Sequence, residues 1–215
     1  GRVGGVIAVK MVTDLLYQER LPFCIVAGVD TFLVAGTLTA FEEKDRLLTE
    51  SNSDGFIPGE AAAAVLLCPG NQNTVGQMMI KGIGFGKEVA FIDSGEPLRA
   101  EGLTHAFKEA FSASGLSMSD MNCRISDANG EQYKFKEGDL AVTRTLRDHK
   151  GEIDIWHPVE CIGEVGAAIV PSVLCIAETT ARKGYSLGNN TLCYFGNDNG
   201  DRAVMILTCS DTGGI

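Results

Sequence analysis

The spacing of apolar and polar residues divides the chain into helices and strands. Between Val6 and Glu19 apolar residues recur every three or four positions, with charged residues opposite, which predicts an amphipathic helix. The run from Phe23 to Val29 is continuously apolar and predicts a strand buried on both faces. Residues 61–68 and 78–85 predict two more strands, and the loop residues 69–73 between them predict a hairpin connection.

The remaining pattern predicts further helices and strands up to residue 209, whereas residues 31–45 are mixed and predict no single element. Gly115 and Gly184 end two of the helices, as glycine often does at a C-cap. The order of elements predicts an α/β layered protein. A helix followed by a strand pair occurs in both portions, which suggests an internal duplication. Helices are predicted at 98–114, 138–148 and 166–183, strands at 123–127, 153–157, 191–195 and 203–209, and a turn at 197–200.

Charge and cysteine usage narrow the class of protein. The 215 residues carry a net charge of −10, which argues against a nucleic-acid or membrane partner, because such partners need a basic surface. No apolar stretch reaches the roughly 18 to 20 residues of a membrane span. The seven cysteines form no CxxC pair and lie mostly in apolar runs. This usage favours a reducing, cytoplasmic setting over a disulfide scaffold.

Two segments carry a resemblance to a known family. Residues 53–67 (SDGFIPGEAAAAVLL) place two glycines and a glutamate before an aliphatic strand, and residues 160–168 (ECIGEVGAA) surround Glu164 with small residues at the start of a helix. They resemble two segments of the β-ketoacyl synthases, the condensing enzymes of the thiolase superfamily. One reads Asp-Gly-Phe-Val, one residue, Gly-Glu-Gly-Ala, and the other reads Gly-His, two residues, Gly-Ala-Ala. In the same order, residues 27–30, 98–116 and 195–196 resemble further segments of that family.

The resemblance implies a fold. The thiolase fold consists of two similar halves, back to back, in a layered α/β/α/β/α arrangement. Residues 1–96 would form the end of the first half, and residues 97–215 would form the complete second half. The first half would therefore be incomplete, so the rest would lie in a longer protein or in a separate chain. The start of the sequence beside the nucleophile position makes cleavage conceivable.

The resemblance also implies where the catalytic groups of the family would stand. The nucleophilic cysteine falls on Arg2, the first histidine on Asn129 and the second histidine on Glu164. The supporting lysine falls on Val159. All four positions differ from the family, so the cysteine and histidine chemistry of condensation is not expected here.

The chemistry of the replacements leaves three interpretations open. Arginine cannot act as a nucleophile, because it stays protonated. Glu164 would serve as a base if burial raised its pKa, with Asn129 donating a hydrogen bond to an oxyanion. Alternatively, Arg2 and Glu164 would form a buried ion pair in place of the lost chemistry. In the third interpretation neither residue has a special role.

Other candidate sites are weaker. His157, Cys161 and Glu164 suggest a metal or a Cys–His site, but Pro158 interrupts the helix that would align them. His105 and His149 lie in charged surroundings that are typical of a surface. Residues 197–201 (NDNGD) contain part of a calcium-loop pattern without its final glutamate, so a hairpin turn is favoured. No phosphate loop or dinucleotide fingerprint occurs, and the sequence predicts neither a metal nor a cofactor.

The first functional hypothesis is a ketosynthase-like subunit that does not catalyse condensation and acts as a partner or scaffold in fatty-acid or polyketide-type metabolism. The resemblance implies a homo- or hetero-oligomer, with an acyl carrier protein or an acyl thioester as further partners. The second hypothesis is an acyl-transferring or thioester-hydrolysing enzyme that uses Glu164 and Asn129. In a third, a second chain supplies the catalytic residues.

Overall fold

The computed structural model describes residues 1–70, 77–147, 151 and 153–209. Short 3-10 turns at Met118–Asp120 and Gly166–Ala168 accompany the longer elements. The helices are α1 (Arg2–Gln18), α2 (Ala35–Glu42), α3 (Glu101–Ser114), α4 (Gln132–Thr145), α5 (Val159–Ile162) and α6 (Ile169–Arg182). The strands are β1 (Cys24–Thr31), β2 (Glu60–Leu67), β3 (Met78–Lys87), β4 (Cys123–Ser126), β5 (Asp154–Trp156), β6 (Asn190–Gly196) and β7 (Asp201–Cys209).

The strands form two sheets. The larger sheet has the order β3-β7-β6-β4-β5. Strands β4, β5 and β6 run parallel, and β7 is antiparallel to both of its neighbours. The smaller sheet consists of β1 and β2, which are antiparallel along their full length.

Helices and sheets alternate in layers. On one face of the larger sheet, α3 and α4 enclose an apolar core that includes Leu103, Phe107, Leu192 and Ile206. On its other face lie α1 and α6, which also contact β1 and β2 of the smaller sheet. The two central helices therefore share their core with both sheets. The outer face of the smaller sheet carries no packed helix among the described residues.

The two central helices cross closely at a glycine. Gly5 of α1 faces the side chain of Val170 in α6, and a Cβ at Gly5 would overlap it. A neighbouring glycine in the same helix, Gly4, has open space around it. Packing therefore requires a glycine at position 5 but not at position 4.

Several predicted elements are confirmed with small shifts. Helix α1 begins four residues before the predicted start, and α3 ends at Gly115, whose φ of 73° lies in the left-handed region. Helix α4 starts at Gln132 rather than residue 138. A 3-10 turn forms the beginning of the predicted helix at residues 166–183. Helix α2 occupies the stretch for which no element was predicted.

Two predictions about strands are wrong. Strand β1 was expected to be buried on both faces, but alternate residues are exposed, with Ile25 at 66% and Val29 at 75%. Strands β2 and β3 were expected to form a hairpin, yet β2 pairs with β1, and β3 pairs with β7 in the other sheet. An apolar run alone cannot show whether its second face meets a neighbour, which explains the first error.

The described residues contain no helix that is long and apolar enough to cross a membrane. Strand β3 lies within residues 1–96 but completes the larger sheet. The division into halves at residues 96 and 97 stays a prediction.

Candidate functional site

Arg2 lies in the first turn of α1 with its guanidinium buried. Its Nε donates to Oε1 of Glu164 at 3.0 Å, and its Nη2 lies 2.9 Å from Oε2 of the same carboxylate. Its Nη1 donates to the carbonyl oxygen of Gly196 at 2.8 Å and to Oδ1 of Asp198 at 3.0 Å. The ion pair that was one of the sequence-based alternatives is therefore present, in the bidentate geometry that arginine and carboxylate favour.

This position is electrostatically unusual for a cation. The N-terminus of a helix carries partial positive charge and favours an anion, such as a thiolate. Burial opposes the charge of Arg2 further, yet the carboxylates of Glu164, Asp127 and Asp198 outweigh it and raise the pKa of Arg2. The arginine is therefore held by its anionic partners, and not by the helix.

Glu164 lies between α5 and the following 3-10 turn, with no solvent exposure. Its Oε1 accepts from Arg2 and from the backbone N–H of Gly166 at 3.1 Å. Its Oε2 accepts from Nδ2 of Asn129 at 2.8 Å and lies 3.6 Å from Nζ of Lys134. Burial alone would raise the pKa of this carboxyl, but the charges of Arg2 and Lys134 outweigh it and lower the pKa to about 2.

The chemical consequence is that Glu164 is a poor base. A general base works best when its pKa lies near the working pH, and the pKa of Glu164 is shifted away from neutrality. Both carboxylate oxygens already accept hydrogen bonds. The condition for Glu164 to act as a base, a pKa raised by burial, is not met in this arrangement, because the nearby cations act in the opposite direction.

A second pair extends this arrangement. Arg46, from the loop after α2, binds both carboxylate oxygens of Glu131, at 2.6 Å through Nε and at 2.9 Å through Nη2. Its Nη1 donates to Oδ2 of Asp198 at 2.7 Å. Asp198 thus bridges Arg46 and Arg2, and these two cations keep the pKa of its partly buried carboxyl well below the usual range.

Asp127 and Lys134 complete the cluster. Oδ2 of Asp127 accepts from the backbone N–H of Gly196 at 3.0 Å and lies 3.6 Å from Nζ of Lys134. Lys134 also donates to the Asp127 carbonyl oxygen at 3.0 Å. We call the whole set the ion-pair network, and its members are Arg2, Arg46, Asp127, Asn129, Glu131, Lys134, Glu164 and Asp198.

Of the four site positions that the resemblance implies, three come together in the structure and one does not. It brings Arg2, Asn129 and Glu164 into direct contact. Val159 is buried in the apolar core instead, and Lys134 of α4 lies beside Glu164. A lysine is therefore present at the site, although it comes from an element that the sequence motif does not include.

Five members of the network were not predicted as site residues. Four of them follow no recognisable spacing relative to Glu164, namely Arg46, Asp127, Glu131 and Lys134. Asp198 was part of a stretch in which a hairpin turn was favoured over a calcium loop. That turn between β6 and β7 is confirmed. The polar residues of this turn were the one local sequence signal that it contributes to a site. Asn197 of the same turn also accepts a hydrogen bond from the backbone N–H of Val3 at 3.1 Å.

An open depression of about 360 Å³ borders the network, and Arg2 and Asp198 are among its lining residues. The remaining lining residues come from β1 and its following loop and from the β6–β7 turn, together with single glycines: Gly1, Asp30, Phe32, Gly166, Asn197 and Asn199. A small molecule entering here would meet groups that are already paired with one another.

The other candidates have structural partners or lie apart. Nδ1 of His157 is 2.9 Å from Oγ of Ser126, and Cys161 is exposed. No group of described residues has the arrangement of a metal site. His105 is exposed as predicted, and His149 lies outside the described residues.

No protein-family model and no curated protein matches the chain. Several solved structures do match the chain. The chain resembles a ketosynthase (ApeO) in complex with its chain length factor (ApeC) from Xenorhabdus doucetiae, with a TM-score of 0.82 at 13% identity, covering 96% of this chain and 58% of that one. It resembles the ketosynthase from module 6 of the bacillaene synthase of Bacillus subtilis 168, with a TM-score of 0.78 at 12% identity, over 98% and 46% of the two chains.

A third similar structure is a type II polyketide synthase ketosynthase in complex with its acyl-carrier protein (AntDE:AntF), with a TM-score of 0.82 at 13% identity, over 96% and 61% of the two chains. The chain therefore has the layered, thiolase-like fold of the ketosynthases, as its sequence motifs predicted. It spans between 46% and 61% of the length of these three structures.

Proposed function

We propose that this chain is a ketosynthase-like subunit that does not catalyse condensation and that acts as a partner or scaffold in acyl-chain metabolism of the fatty-acid or polyketide type. The observation that carries the proposal is the bidentate pair between Arg2 and Glu164. The proposal takes these residues as the positions of the family's cysteine and second histidine, as the resemblance implies. An arginine there offers neither a nucleophile nor a removable proton.

The network also argues against the hydrolytic alternative. A base must reach the proton that it abstracts, but both oxygens of Glu164 already accept hydrogen bonds. Asn129 donates through Nδ2 to the same carboxylate. The pair is thus arranged to hold Arg2 in place, and a role for Glu164 and Asn129 in acyl transfer has no supporting contact among the described residues.

Similar structures supply the kind of partner to propose. Two of them are complexes, one with a chain length factor and one with an acyl-carrier protein. We propose a ketosynthase-type subunit as the partner of this chain, with an acyl carrier protein as a second one. All seven cysteines are free thiols, which supports a reducing cytoplasmic compartment for the assembly.

The proposal is tested by offering the purified chain acetyl and malonyl thioesters of coenzyme A and of phosphopantetheine. We expect no covalent acyl adduct in the intact mass and no release of free acid above the rate without protein. Glu164→Gln should leave this background unchanged. Covalent acylation, or thioester release that disappears in both Glu164→Gln and Asn129→Ala, would overturn the proposal in favour of the enzyme.

A further inference from the structure

A second buried ion pair accompanies the ion-pair network. Nε of Arg202, from β7, lies 2.7 Å and 2.9 Å from the two carboxylate oxygens of Glu137 in α4. Nη2 of Arg202 donates to the hydroxyl of Tyr133 at 2.8 Å, and that hydroxyl donates to the carbonyl oxygen of Ala90 at 2.8 Å. We call Arg202, Glu137 and Tyr133 the Arg202 cluster. Among the described side chains, no direct hydrogen bond joins this cluster to the ion-pair network.

The two groups share a small cavity of about 20 Å³. A polar cavity needs roughly 10 to 15 Å³ to hold one water molecule. The space is therefore large enough for a single water and too small for an organic ligand. Three members of each group are among its lining residues, namely Asp127, Lys134 and Asp198 of the network and Tyr133, Glu137 and Arg202 of the cluster.

Lys134 has hydrogen-bonding capacity that its protein neighbours do not use. Its side chain is only 9% exposed, and its ammonium group carries three protons to donate. One proton is donated to the carbonyl oxygen of Asp127 at 3.0 Å. The nearest carboxylate oxygens, of Asp127 and Glu164, each lie 3.6 Å from Nζ, which is too far for a direct hydrogen bond. A buried donor without an acceptor is unfavourable, and a bridging water is the usual link at such distances.

From these observations we infer that the cavity binds one water molecule, which connects the ion-pair network to the Arg202 cluster. The water accepts a hydrogen bond from Nζ of Lys134 and donates one to Asp127 and one to Glu137. Each carboxylate has room for this bond, because its two oxygens together accept about four. This inference goes beyond the proposed function and does not depend on it. It makes the buried charges of α1, α4 and β7 a single hydrogen-bonded unit.

A neutral molecule fits this cavity better than an ion does. A monovalent cation would be repelled by Lys134 and Arg202, and it would give the protons of Lys134 no acceptor. An anion would be repelled by Asp127 and Glu137 in the same way. Water both accepts and donates, so it satisfies the ammonium and the carboxylates together.

A high-resolution crystal structure of the natural protein tests the water directly. We expect one isolated density peak about 2.7 to 3.2 Å from Nζ of Lys134 and from a carboxylate oxygen of both Asp127 and Glu137. Crystals soaked in rubidium salts should show no anomalous signal at this point. Direct contact of Lys134 with the carboxylates and no peak, or an anomalous rubidium signal, would overturn the inference.

Two serine substitutions test the site in solution. Ala128 lines the cavity, so the hydroxyl of Ala128→Ser should take the place of the water and change Tm by less than about 2 °C. Ala203→Ser is the matched control, because Ala203 is fully buried in the apolar core. An unpaired hydroxyl there should lower Tm by about 3 to 10 °C. Equal losses in the two variants, or persistence of the density peak in crystals of Ala128→Ser, would contradict the assigned site.

Discussion

At the scale of single residues, one arginine determines what the site can do. The planar guanidinium of Arg2 matches a carboxylate with two parallel hydrogen bonds, which a lysine could not reproduce. Its remaining nitrogen binds Gly196 and Asp198 and so joins the site to the β6–β7 turn. Such a pair holds its geometry only while both charges remain, because a lone buried charge is strongly unfavourable.

The protonation of Glu164 should therefore limit stability in acid. Its folded-state pKa of about 2 lies below the usual 4.5, so its contribution is present above pH 4.5 and is lost as the pH falls towards 2. The difference corresponds to about 3 kcal/mol of unfolding free energy. Urea unfolding between pH 3 and pH 7 should show about 2 kcal/mol of this loss in the natural protein, most of it below pH 4.5, and a flatter profile in Glu164→Gln.

At pH 7 the same variant should lose about 3 to 5 kcal/mol, because Arg2 is left without its main partner. The matched control is Asp14→Asn, which breaks the exposed pair with Lys10 and should cost about 0.5 kcal/mol or less. Equal stability of Glu164→Gln and the natural protein at pH 7 would contradict the assigned role of the pair.

At the scale of elements, the packing of α1 against α6 depends on which glycine faces the partner helix. Gly4 and Gly5 are adjacent in sequence and share the same helix, yet only Gly5 meets a neighbour. Helix geometry separates adjacent positions by about 100°, so one can face a core while the next faces solvent.

Alanine substitutions at these two positions should have opposite signs. Gly5→Ala should destabilise the fold by about 1 to 3 kcal/mol, because the added methyl overlaps the Val170 side chain in a packed interior. Gly4→Ala should stabilise it by about 0.5 to 1 kcal/mol through better helix propensity. Thermal unfolding of both variants provides the comparison, and a gain of stability in Gly5→Ala would show that the helices can move apart.

The elements that could be predicted from the sequence are those determined by local signals. Helix α3 has a clear apolar side and a terminal glycine, and the β6–β7 turn has its Asn-Gly pair. The exposure of one face of β1 depends on what lies beyond the sheet, and no periodicity encodes that. At the site, the resemblance to the family implied the positions Arg2, Asn129 and Glu164. Arg46 and Asp198 join them only through tertiary contacts, which no sequence spacing indicates.

At the scale of the whole molecule, the two sheets differ in how fully they are enclosed. Strands β6 and β7 have neighbours on both edges and helices on both faces. Within the part of the chain that the structure describes, strands β1 and β2 have one neighbour each and one covered face. Local opening should therefore cost less free energy in the smaller sheet.

Amide hydrogen exchange of the isolated chain should report this difference. We expect peptides from β1 and β2 to exchange at least tenfold faster than peptides from β6 and β7 under native conditions, because fewer contacts oppose their opening. Exchange followed by mass spectrometry at pH 7 gives the rates for each strand. Equal protection of the two sheets would indicate that the isolated chain unfolds only as one unit.

The bridge from Arg2 to Asp198 has a consequence for how the polypeptide folds as it is made. The two residues are 196 positions apart, and ribosomes add about 5 to 20 residues per second. For roughly 10 to 40 s the guanidinium of α1 therefore waits for a partner that has not yet been synthesised. Helix α1 therefore acquires its complete set of partners, and the ion-pair network closes, only after the β6–β7 turn has been synthesised.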